Sequence, residues 1–140
     1  REIAVKLVNT RSDEYAAIWS KMESIASNRL VSGELTLEVT KALAGKIKSW
    51  RYSQGALVAE ETTRDAAMVF QRSLWDYDGS DSAYRRMRQA RRLFRNAMRA
   101  DLGLGENIEG KTIIDITAQR NKIQQELQAL QAELGISKGE

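Results

Sequence analysis

No proline occurs anywhere in the 140 residues of this chain. Proline is the strongest interrupter of helices, because it lacks a backbone N–H and its ring clashes with the preceding turn. Without it, helices run on wherever the apolar pattern supports them, and glycine, asparagine, aspartate and serine carry every turn signal. With 42% hydrophobic and 29% charged residues, the composition suits amphipathic helices around one core of ordinary single-domain size.

Apolar spacing places those helices. Ile3, Leu7, Tyr15, Ile18, Trp19, Met22, Ile25, Ala26 and Leu30 recur mostly three or four apart and predict a helix over about 2–31. Arg11-Ser12-Asp13 marks a candidate break near its start, where Ser12 would cap a fresh helix. Ser32-Gly33-Glu34 turns the chain, and Thr36 then N-caps a second helix bearing Leu37, Val39, Leu43, Ile47 and Trp50, to about Tyr52. Gly45 lies inside it and predicts close approach of another helix, since Gly there costs about 1 kcal/mol relative to Ala. Gly55 predicts a left-handed cap, and Ala56 to Ala59 an apolar connector tucked against the bundle. Glu60, Glu61 and Asp65 suit the positive end of a third helix dipole, whose buried face is Ala66, Ala67, Phe70, Leu74 and Tyr77.

After a loop over Asp76 to Asp81, with Ser80 or Asp81 as cap, comes a fourth helix, SAYRRMRQARRLFRNAMRA, over 82–100. It holds seven arginines and no acid. Arg85, Arg88, Arg92, Arg95 and Arg99 step by three and four and form one stripe, while Tyr84, Met87, Phe94 and Met98 form an apolar face. Residues 51–82 and 101–140 each carry a net charge of −3, against +7 for 83–100. The stripe is therefore either neutralised by acids within the fold or presented to an anionic partner.

Asp101-Leu102-Gly103 ends that helix, and a loop continues through Asn107. From about Thr112 to Leu134 the pattern is heptad-like, with Ile113, Leu127 and Leu134 at a and Ile116, Ile123 and Leu130 at d; Arg120 interrupts an a position. Ile116, Ile123, Leu127, Leu130 and Leu134 are the expected helix-to-helix contacts, within the bundle or between chains. The fold class is all-α: an antiparallel bundle of four core helices plus a C-terminal helix of short coiled-coil character, with no sheet beyond a stray bridge. Residues 1–105 form the bundle domain and 106–140 the loop and last helix.

The chemical inventory is restrictive. The chain contains no cysteine and no histidine, which removes disulfides, the usual zinc sites and the histidine-based nucleophilic triads. No phosphate-binding glycine loop is present. Asp76, Asp78 and Asp81 resemble the opening of a calcium loop, but Ser80 and Asp81 stand where its fifth ligand and sixth-position Gly belong, and Met87 where it needs the closing Glu. The expectation is no metal, no cofactor, no catalytic residue and no small-molecule substrate. No run of apolar residues is long enough for a membrane span.

From Ser12 to Gly103 the order of features is Tyr15 and Trp19 on the first helix, Leu35-Thr36 opening the second, Trp50-Arg51-Tyr52 closing it, a Gly55-Ala56-Leu57-Val58 turn, then an acid-started helix and a basic one ending Asp101-Leu102-Gly103. This resembles a family of bacterial helical domains, of no assigned activity, that commonly follow an N-terminal transmembrane segment. The chain departs from that pattern in having one turn glycine and Ala59 in place of a Ser cap. The resemblance implies a membrane anchor before Arg1 and a cytoplasmic position at the membrane face. The expected function is a non-enzymatic interaction module binding a protein partner or itself, with an anionic membrane surface as a further partner. The alternative is nucleic-acid binding through 82–100: the stripe spans about 21 Å, enough to touch several phosphates.

Overall fold

The computed structural model describes residues 2–22, 35–104, 106–108, 111–113 and 115–136. Six helices occur among them: α1 Glu2–Lys21, α2 Leu37–Arg51, α3 Gln54–Val58, α4 Glu61–Trp75, α5 Asp81–Asp101 and α6 Ile116–Leu134. α1 runs unbroken through Ser12, so the break expected there does not form. The expected turn at 32–34 and the far part of the first helix lie outside the described residues.

Side-chain caps set several helix starts. Thr36 accepts from Val39 N, Ser80 from Ala83 N and Asp115 from Ala118 N, at 3.2, 3.2 and 3.0 Å. Left-handed glycines set two of the ends. After α5, Gly103 at φ 75° lets its N–H reach Ala100 O while Leu104 N reaches Arg99 O; Gly135 at φ 68° does the same after α6, with Ile136 N on Gln131 O.

The core is built on α4, which packs against α2, α5 and α6. α4 buries Ala66, Ala67, Val69, Phe70 and Leu74, α2 buries Leu43, Ala44, Ile47 and Trp50, and α5 buries Met87, Leu93, Phe94 and Met98. A chain of aromatic contacts stitches four helices together: Tyr15 to Trp50 at 6.1 Å, Trp50 edge-on to Phe94 at 5.5 Å, and Phe94 to Phe70 at 6.1 Å between centroids. α6 adds Ile123, Leu127, Leu130 and Leu134 to this same core, with Ile116 half-buried at its start. The heptad positions thus pack on the chain's own bundle. The molecule is an all-α antiparallel bundle.

Several local expectations are corrected. Among the described residues nothing lies within 4 Å of where a Gly45 Cβ would stand, so no described helix approaches it closely. Gly55 does not take a left-handed cap: it lies in α3, where a Cβ would fall 2.1 Å from Trp50 Nε1. Its missing side chain makes room for the indole. The connector after it is helical and only half tucked in, with Ala56 and Ala59 buried and Leu57 83% exposed. Finally, Glu106–Ile108 and Lys111–Ile113 form a two-stranded antiparallel hairpin, pairing Glu106 with Ile113 and Ile108 with Lys111. Ile113 is therefore a strand residue and not the first a position, and the last helix starts at Ile116 behind its Asp115 cap.

Candidate functional site

α5 has to satisfy two demands at once. Its apolar stripe fills the gap between α4 and α6, which forces the guanidinium groups to the remaining surface. Arg85, Arg88, Arg95 and Arg99 are exposed, whereas Arg86, Arg91 and Arg92 are half-buried. Arg92 is held by α6, with Nη2 donating to Glu126 Oε1 at 3.0 Å. Glu60 is engaged by Arg11 at 2.9 Å.

Four stripe members, Arg85, Arg88, Arg92 and Arg95, join Arg91, Tyr84 and Gln89 around a cleft of about 460 Å³. Arg99 lies apart from it. Arg91 was not in the predicted stripe, yet it follows Arg88 by three and precedes Arg95 by four, so its place on the edge of that row was readable. Its guanidinium lies 4.6 Å from the Trp19 ring centroid. Its Nε is buried and has no hydrogen-bond partner among the described residues. Burial, then the charges of Arg95 and Arg88, lower the Arg91 pKa; burial, then Arg92 and Arg99, lower that of Arg95. Arginine stays protonated through such shifts, so the cluster holds several cations at mutual cost. An anion in the cleft relieves that repulsion.

Arg95 and Arg99 also border a second, more apolar groove of about 320 Å³ between α1 and α5, lined by Ser12, Tyr15, Ala16, Trp19, Met98 and Leu102.

Among the described residues the most densely bonded carboxylate is that of Asp101, which the sequence offered only as the end of a helix. Asp101 closes α5 with a carboxylate that is 1% exposed. Its Oδ2 accepts from Tyr15 Oη at 2.6 Å, Thr63 Oγ1 at 2.8 Å and Glu60 N at 3.2 Å, and its Oδ1 from Arg120 Nη2 at 3.2 Å. Arg11 Nη1 reaches the Asp101 carbonyl at 3.3 Å, and Arg11 Nε reaches Val58 O. A carboxylate thus caps the start of α4 from another helix, where Glu60 offers no side-chain cap of its own. Burial first, then the bond to Asp101, raises the Tyr15 pKa far above that of an ordinary phenol. Tyr15 is a fixed donor, and the cluster is a structural clasp.

The acidic loop serves its turn. Asp76 pairs with Arg72 at 3.2 Å, and Asp78 Oδ1 accepts from Ser80 N at 2.9 Å, with the bonds to Ser80 lowering its pKa. Among the described residues no group of three such side chains is placed to hold a metal, and no helix is long and apolar enough to cross a membrane. No family model, curated protein or solved structure matches the chain.

Proposed function

We propose that this chain is a non-enzymatic helical interaction module that binds an anionic surface through α5, as the cytosolic part of a longer membrane-tethered bacterial protein. The observation that carries the binding reading is the convergence of five arginines on one cleft, with Arg85 and Arg95 exposed in it. Guanidinium forks match carboxylate and phosphate oxygens. The row is laid along a helix whose other face is fixed in the core, so little is lost in ordering it. The tether rests on the resemblance of residues 12–103 to domains that follow a transmembrane segment.

The test compares the full chain with Arg85→Glu/Arg95→Glu, which spares the Arg92–Glu126 pair. Anionic vesicles, an acidic protein and duplex DNA are each titrated at several salt concentrations, with thermal unfolding as the control for folding. Salt-sensitive binding to vesicles or acidic protein that the double variant loses, while unfolding at an unchanged temperature, supports the module. Binding to DNA alone, with a slope that falls by about one per arginine removed, replaces it with the nucleic-acid reading, which the extended exposed row favours. Binding to none of the three removes both.

A further inference from the structure

The arginine cleft and the apolar groove are neighbours that share a residue, since Arg95 lines both. They also meet through Trp19, which lines the groove while its ring carries Arg91 of the cleft. The apolar part of the groove wall is Ala16, the Trp19 ring, Met98 and Leu102, with Ser12 and Arg99 also lining it. Tyr15 contributes to the wall as well, and its hydroxyl is held by Asp101, so it brings no spare donor into the groove. One recess is thus cationic, the next apolar, and a guanidinium stands at their junction. A flat patch for nucleic acid or an acidic protein needs the first and has no use for the second.

We infer that the paired recesses bind an anionic phospholipid drawn from a membrane surface, its phosphate in the arginine cleft and one acyl chain in the α1–α5 groove. Charge complementarity selects the head, because several guanidiniums face it and its arrival offsets their repulsion. The tail is selected by the groove: each methylene moved out of water strengthens binding about fourfold. This inference rests on the anionic-surface reading and narrows it to a ligand with two ends.

The experiment uses the full chain and soluble probes: dodecyl phosphate below its micelle concentration, inorganic phosphate, and dodecyltrimethylammonium, titrated by calorimetry. Ala16 is exposed and lines the groove, so Ala16→Phe fills the tail site without entering the core. The expected result is strong binding of dodecyl phosphate, weak binding of inorganic phosphate, none of the cationic amphiphile, and a loss of about tenfold or more for dodecyl phosphate in Ala16→Phe, the equivalent of two buried methylenes. A readout that needs no groove variant accompanies it: vesicles with brominated acyl chains on the anionic lipid quench tryptophan emission, and Trp19→Phe removes most of the quench. Dodecyl phosphate binding no tighter than inorganic phosphate, binding of the cationic amphiphile, or vesicle binding without quenching overturns the lipid inference and leaves anionic-surface binding standing. No binding of any anion, soluble or on vesicles, defeats both.

Discussion

Gly45 and Gly55 lie ten positions apart and respond oppositely to the same methyl group. Ala at 45 meets none of the described residues within 4 Å, in a helix interior, so Gly45→Ala should stabilise by about 0.5–1 kcal/mol. Ala at 55 drives its Cβ into the Trp50 indole, so Gly55→Ala should destabilise by about 1–3 kcal/mol despite the better helix propensity. Urea unfolding of the two variants reads the difference in sign. Asp101 is the other residue of consequence. Asp101→Ala strands the Tyr15 and Thr63 hydroxyls, the Glu60 N–H and one end of Arg120, and should cost about 2–4 kcal/mol. Tyr15→Phe, which leaves the other donors in place, should cost only about 1 kcal/mol in the same assay.

At the level of elements, the helices were readable because caps and spacing agreed. Thr36 and Ser80 each cap the helix that the apolar period then continues. The hairpin was not readable: three-residue strands are too short to show alternation, and Ile113 fits a heptad as well as a strand. Whether α6 packs inward or between chains was equally open, since Ile123, Leu127 and Leu130 suit either. The junction of α4 with α6 holds one testable group. Asp65 accepts from Gln124 Nε2 at 3.3 Å, and burial raises its pKa while that bond lowers it in part. A carboxyl with a raised folded pKa contributes stability that is present below its unfolded pKa, about 4, and lost as pH rises through the folded value. Asp65→Asn should therefore stabilise at neutral pH, by about 1 kcal/mol or less after solvent screening. That gain should vanish in acid, as melting curves across pH will show.

Across the whole molecule, α6 packs against α4 and α5 and shares their core. Removing residues 111–140 takes Ile123, Leu127 and Leu130 out of the common core and should unfold the remainder rather than release a stable four-helix piece; circular dichroism with cooperative melting decides. The candidate site was only half legible. The arginine row follows from spacing, but Trp19 and Arg91 come together across two helices, and no local pattern announces that.

The Asp101 clasp also bears on the order in which the bundle assembles. Its carboxylate gathers groups from positions 15, 60, 63 and 120, and the tie to Tyr15 spans 86 positions. Contacts of such sequence separation bear the loop-closure entropy of everything between them, whereas the α4–α5 hairpin closes locally. The long-range ties of the clasp are therefore expected to form late, so that Asp101→Ala should speed unfolding more than it slows folding, and stopped-flow folding and unfolding rates will read the split.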